Sequence, residues 1–242
     1  MLYNDLEQGI YILHENEEWL PPFREAFARA GLNFGEIDLS KGAINLDKEP
    51  PKGVFWSRMS ASSHTRGHAF AKDYARAIFA WLARYNRRIV NPLSVLELEV
   101  SKVAQYLALN SAGFRTPKTL AAFGKADLRE LARTLQTPFI IKHNQGGKGL
   151  GVRLFESFAE FEKCLNSSEF EQSADGIYLA QEYVKSKAPF ITRIEFIAGK
   201  FHYAVRVDTS DGGFELCPAE ACEIERKPKL AAAACDIGAK FS

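Results

Sequence analysis

Glycine fills four of the six positions from 146 to 151, as Gly146, Gly147, Gly149 and Gly151, with Lys142 just before the cluster and Lys148 inside it. Apolar runs flank it, Phe139-Ile140-Ile141 on one side and residues 152–155 on the other. Glycine permits positive φ and leaves no side chain between backbone amides and an approaching group, so such a tip can aim several N–H groups at one anion. Lys142, at the end of the first apolar run, adds a full positive charge at the same place. Polyphosphate suits that combination; a hairpin tip without a ligand is the alternative that glycines alone leave open. Two other phosphate motifs fit worse. A P-loop needs Ser or Thr after its lysine and then a helix, whereas Gly149 follows Lys148 and the next segment reads as a strand. The GxGxxG spacing is absent, because Gly147, Gly149 and Gly151 recur every second residue.

The elements that must position these residues alternate along the chain. Residues 10–13, 54–56 and 89–90 are short apolar runs with strand character, and Pro21-Pro22 opens a helix that Gly31 stops. The spacing of Phe70, Tyr74, Ile78, Trp81 and Tyr85 predicts a long helix over about 68–85. Strands alternating with helices predict an α/β layer with a parallel sheet over residues 1–92. After Asn91-Pro92 a second domain, residues 93–242, begins with a capping-box spacing at Ser94 and Glu97 and an apolar stripe to Gly113. A strand at 119–123 and a helix at 127–135 follow, then the glycine hairpin. A second capping box at Ser157 and Glu160 starts a helix through Leu165. Residues 177–184, 191–197 and 201–207 read as strands, the last two joined by a turn at Ala198-Gly199-Lys200. A helix is expected from Lys229.

Composition excludes several classes. The chain has 242 residues, 46% of them hydrophobic, which supports a real core. A net charge of +1 gives no reason to expect a nucleic-acid partner. No run reaches the roughly 18 apolar residues of a membrane span, and the N-terminus lacks the pattern of a signal peptide. The four cysteines, Cys164, Cys217, Cys222 and Cys235, are too irregular for a disulfide scaffold. A cytoplasmic globular protein is expected.

Several pieces in order carry a family resemblance. They are "SKVAQYLALNSAGFRTPKTL", "PFIIKHNQGGKGLGVRLF", "AQEYV" and "ITRIEFIAGKFHYAVRV". Together, over about residues 90–210, they resemble the ATP-grasp superfamily, in particular its carboxylate–amine ligases such as the ribosomal-protein and lysine-biosynthesis glutamate ligases. The resemblance implies a Rossmann-like pre-ATP-grasp domain followed by an ATP-grasp domain with its lid at about 136–182. It implies that Lys102 and Lys142 contact the phosphates of ATP, and that Gly146, Gly147, Lys148, Gly149 and Gly151 close over them. Gln181, Glu182, Tyr183 and Val184 would form the hinge that meets adenine, with Glu182 near the ribose or the purine. Arg193, on a strand, would stabilise charge developing during phosphoryl transfer. A solvated helix lysine at 102 and a plain cross-strand ion pair of Glu182 and Arg193 are the structural alternatives.

Two positions depart from the family pattern. The residue two before Arg193, an aspartate in the glutamate ligases, is Ile191. The family's Mg²⁺ ligands, acidic residues and an asparagine on late strands, have no counterpart after Arg206, so no metal ligand is assigned. The resemblance therefore implies an ATP-grasp domain incomplete at its C-terminus, with Mg²⁺ ligands beyond residue 242 and little turnover by this chain. The implied activity is ATP-dependent ligation of a small-molecule or peptide carboxylate to an amine through an acylphosphate. A non-catalytic nucleotide-binding module and a small-molecule kinase are the alternatives; the acceptor and the oligomeric state stay open. Elsewhere, residues 57–68 gather Arg58, His64, Arg66 and His68 after a strand, where a substrate carboxylate could bind or where the residues merely cap the next helix. A His64–His68 metal pair is disfavoured by Gly67, and a zinc site at Cys217, Cys222 and Cys235 by its spacing.

Overall fold

In the computed structural model, which describes residues 1–147, 149 and 151–210, the run at 10–13 forms strand β1 (Ile10–His14). It pairs in parallel with β2 (Gly35–Asp38) and β3 (Val54–Ser57), and β3 with β4 (Arg88–Val90), giving the order β2-β1-β3-β4. Helix α1 (Pro21–Arg29) starts on two prolines, whose lack of an N–H costs nothing in a first turn. Gly31, at φ +66°, follows its C-cap. Helix α2 (Ala71–Arg84) buries Ala75, Ile78, Phe79 and Leu82, and these join Tyr11, Leu13, Ile37 and Phe55 in one core. The residues from Met1 to Gln105 form one compact unit, and those from Tyr106 onward a second.

The structure differs from four local expectations over residues 35–111. Strand β2, not expected from the sequence, buries Gly35 and Ile37 while Glu36 and Asp38 stay half-buried. The long helix begins at Ala71 rather than 68, because Ser63–Arg66 form a separate 3₁₀ turn ended by Gly67 at φ +80°. The capping box at Ser94 does not form. Helix α3 (Leu93–Val100) follows Pro92 with no side-chain cap, and the Glu97 carboxylate instead accepts hydrogen bonds from Arg76 at 2.8 and 2.9 Å. The Arg76 guanidinium holds the Glu97 carboxyl below the usual range. The apolar stripe is also interrupted: Ser101 is extended, and its Oγ accepts from the Ala104 N–H at 3.2 Å to start helix α4 (Lys102–Ser111).

The second unit contains β5 (Thr119–Phe123), α5 (Gly124–Ala132), β6 (Phe139–His143), β7 (Arg153–Phe155), α6 (Phe158–Leu165) and β8 (Ile177–Glu182). Its four strands pair antiparallel in the order β5-β8-β6-β7. Phe139, Ile141, Phe155, Tyr178 and Ala180 join Leu128 of α5 and Phe161 and Leu165 of α6 in the core. Side chains alternate across a strand, so Ile140, Lys142, Leu179, Gln181 and Thr119 share the opposite face. Strands β9 (Phe190–Ile197) and β10 (Lys200–Asp208) make a separate antiparallel pair, turning at Ala198 (φ +49°) and Gly199 (φ +74°). That is the double positive φ of a type I′ hairpin. No described helix is long and apolar enough to cross a membrane. The helix expected from Lys229 and the cysteines at 217, 222 and 235 lie outside the described residues.

The capping box at Ser157 does form. Ser157 Oγ accepts from the Glu160 N–H at 3.2 Å, and the Glu160 carboxylate accepts from the Glu156 N–H at 3.1 Å. Ser157→Ala is expected to lower stability by about 1 kcal/mol, the usual cost of losing such a cap. Chemical denaturation with an unshifted midpoint would contradict the assignment.

Candidate functional site

The sheet face away from α5 and α6 carries a closed polar network. Gln181 on β8 pairs in register with Thr119 on β5 and with Ile140 on β6, so its side chain stands mid-sheet. It is only 4% exposed, and a buried amide needs partners. Its Nε2 donates to Thr119 Oγ1 and to Tyr106 Oη, both at 2.7 Å. Its Oε1 accepts from Lys142 Nζ at 2.8 Å. Lys142 Nζ also donates to Tyr106 Oη at 2.6 Å and lies 4.9 Å from that ring's centroid. Two of the three ammonium donors are thus engaged, leaving one for an anion. The contacts hold the charge at one point on a rigid strand rather than at the end of a free stem.

The glycine segment leaves β6 immediately after Lys142. Its base is pinned: the Asn144 N–H donates to Ile177 O at 3.1 Å, Asn144 Nδ2 to Asp175 Oδ2 at 2.6 Å, and His143 Nε2 lies 3.2 Å from Glu171 O. Beyond that base the backbone needs glycine. Gly149 has φ +81° and Gly151 φ +69°, and a Cβ on Gly151 would lie 2.9 Å from His143 Nδ1. Gly146 has φ +148°, while a Cβ on Gly147 would meet open space. Lys148 lies outside the described residues.

At the other end of β8, Glu182 is the last paired residue. Its N–H donates to Lys118 O at 3.0 Å, and its Oε1 accepts from the Lys118 N–H at 2.8 Å. The carboxylate thus clamps the chain entering β5. Tyr183 and Val184 follow outside the strand, with Val184 62% exposed. Arg193 stands on β9, with Nη2 3.6 Å from Glu195 Oε1 two residues along the same strand, not paired with Glu182. Lys102 is the first residue of α4 and belongs to the first unit.

The network thus joins two predicted residues, Lys142 and Gln181, and adds two that the sequence did not single out, Tyr106 and Thr119. Tyr106 lies 36 residues from Lys142, and no local spacing links them. In the first unit, residues 57–68 are largely committed inward. The fully buried Glu15 carboxylate accepts from Arg66 at 2.5 and 3.1 Å, and His68 Nδ1 lies 3.2 Å from it. His64 Nδ1 lies 3.1 Å from Ala61 O. The Arg58 guanidinium sits 5.4 and 5.7 Å from the Phe23 and Trp56 rings.

No protein-family model and no curated protein matches the chain. Solved structures do. The chain is similar to a RimK domain ATP-grasp protein from Sphaerobacter thermophilus, at 18% identity and a TM-score of 0.65, over 96% of this chain and 82% of that one. It is similar to the D-cycloserine synthetase DcsG at 18% identity and a TM-score of 0.65, over 96% and 79% of the two chains. It is also similar to the ADP complex of N5-carboxyaminoimidazole synthetase from Staphylococcus aureus, at 15% identity and a TM-score of 0.61, over 99% and 64%. The chain shares the fold of these structures, the first of which is an ATP-grasp protein.

Proposed function

We propose that the protein binds ATP beside Lys142, on the side of the β5-β8-β6-β7 sheet opposite α5 and α6, and is an ATP-dependent carboxylate–amine ligase. The observation that carries this reading is the Lys142 ammonium, fixed by Gln181 and Tyr106 directly before a segment whose Gly149 and Gly151 adopt positive φ. A fixed cation beside a glycine-rich segment suits a triphosphate in charge. Lys142 would hold the phosphates, Gly146, Gly147, Lys148, Gly149 and Gly151 would cover them, and residues 181–184 would meet the adenine edge. Arg193 would add charge to the transferring group.

In the ligase reading, a substrate carboxylate oxygen attacks the γ-phosphorus and ADP leaves. An amine then attacks the acyl carbon, phosphate leaves, and the amine gives up a proton. Mg²⁺ would supply charge neutralisation in such a transfer. Among the described residues, the one cluster of three metal-ligating side chains lies in the first unit, at His14, Glu17 and Glu36. The test is incubation with ATP, Mg²⁺ and pools of carboxylates and amines. ADP and free phosphate that appear only when both pools are present support the ligase; phosphate retained on product indicates a kinase; nucleotide binding without turnover indicates a binding module.

The hinge makes a separate prediction. If backbone groups of residues 181–184 read the base, GTP presents the opposite donor and acceptor pattern and leaves a buried pair unmatched, costing about 1–3 kcal/mol. ATP is expected to bind at least about tenfold more tightly than GTP. Equal affinities in a calorimetric titration would contradict it.

A further inference from the structure

We propose that the first unit carries a binding site for a divalent transition metal, formed by His14, Glu17 and Glu36. His14 ends β1 and is 2% exposed, and neither ring nitrogen has a hydrogen-bond partner. A buried imidazole without partners is costly, so the site lacks something. One nitrogen of this ring, one oxygen of Glu17 and one of Glu36 lie within 4.8 Å of one another. Glu36 comes from the neighbouring strand β2, and Glu17 from the 3₁₀ turn after β1. The buried ring and the two carboxylates therefore converge from three separate points on one small volume.

A cationic group already marks that volume. Arg24 on α1 donates from Nη2 to Glu17 Oε1 at 2.6 Å and to Glu36 Oε1 at 2.8 Å, and from Nε to Glu36 Oε1 at 3.0 Å. It bridges the carboxylates, while both ring nitrogens of His14 stay without a hydrogen-bond partner. A metal ion would engage one ring nitrogen and both carboxylates at once. Three nitrogen and oxygen ligands, with water in the fourth position, match the coordination of an open zinc-type site. The imidazole disfavours Mg²⁺ and Ca²⁺, which prefer oxygen alone. Metal–ligand bonds of about 2 Å require the ligand atoms to close to roughly 3.3 Å. The Glu17 side chain, 66% exposed, can move that far, and Arg24, 44% exposed, can swing into solvent.

The arrangement predicts competition between Arg24 and the metal. Zn²⁺ titrated into the full chain should bind one equivalent, and Arg24→Gln should tighten it at least about tenfold by removing a competing charge. Glu36→Gln, and His14→Gln where it folds, should weaken binding by at least about tenfold, the lower bound even for groups that only support ligands. A gain of affinity in Arg24→Gln cannot come from misfolding, which keeps the test decisive if His14 variants fail. Co²⁺ should give the visible bands of a four-coordinate site, lost in Glu36→Gln. The proposal is overturned if Arg24→Gln leaves affinity unchanged. It is also overturned if binding survives Glu36→Gln with thiolate charge-transfer bands, which would place the metal on cysteines.

Discussion

Lys142→Met is expected to weaken ATP binding by about 1.5–3 kcal/mol, the range for a hydrogen bond to a charged group, or on the order of ten- to a hundredfold in affinity. The methionine keeps the stem's length and apolar contacts but removes the ammonium. Gln181 Oε1 and Tyr106 Oη each lose the donor they receive at 2.8 and 2.6 Å, so a small loss of stability should accompany the loss of binding. Tyr106→Phe separates the two effects. It deletes the hydroxyl that steadies Lys142 while keeping the charge, and should cost less affinity than Lys142→Met. Calorimetric titration well below each variant's melting temperature measures both. Unchanged affinity in Lys142→Met would remove this lysine from the phosphate site.

Phe161→Ala is expected to destabilise the second unit by about 3–5 kcal/mol, the usual cost of truncating a buried phenylalanine. Phe161 is fully buried on α6. Its ring meets Phe139 and Phe155 edge-on at centroid distances of 5.6 and 5.3 Å and tilts against Phe158 at 5.7 Å. Neighbours fixed on paired strands cannot collapse into the space left behind, which puts the cost toward the upper end. Phe139 and Phe155 are register partners of β6 and β7, so the cluster also anchors the strands that carry Lys142 and the glycine tip. Nucleotide affinity should therefore fall with stability. A loss under about 1 kcal/mol in denaturant unfolding would show that the pocket refills, contrary to close packing.

Much of this framework was legible in the sequence where a single local rule decides the outcome. The apolar runs at 10–13 and 139–141, the prolines before α1, Gly31 after it, and the Ser157 cap each act within a few residues and were read correctly. Ala198-Gly199 likewise announces the β9–β10 turn. Strand β2 was not legible, because Glu36 and Asp38 leave only Gly35 and Ile37 as buried positions, too short an alternation to stand out. Ser94 and Glu97 had the spacing of a cap, but Arg76, on another helix, holds Glu97. A tertiary ion pair overrode a local signal worth only about 1 kcal/mol. Of the site, Lys142 and Gln181 were visible through their motifs. Tyr106 and Thr119 join them only once β5, β8 and α4 are folded, since the partners lie 36 to 75 residues apart. The inward turn of Arg66 and His68 onto Glu15 was hidden for the same reason, with separations of 51 and 53 residues.

The most direct test of the nucleotide site is hydrogen exchange of the full chain with and without ATP, read peptide by peptide. ATP is expected to slow exchange in two segments of the second unit, residues 139–155 around Lys142 and the glycine tip, and residues 181–184 at the end of β8. GTP at the same concentration should give weaker protection, and Lys142→Met should lose most of it. Absence of protection at millimolar ATP, or protection confined to the first unit, would contradict the assignment of this sheet face as an ATP site.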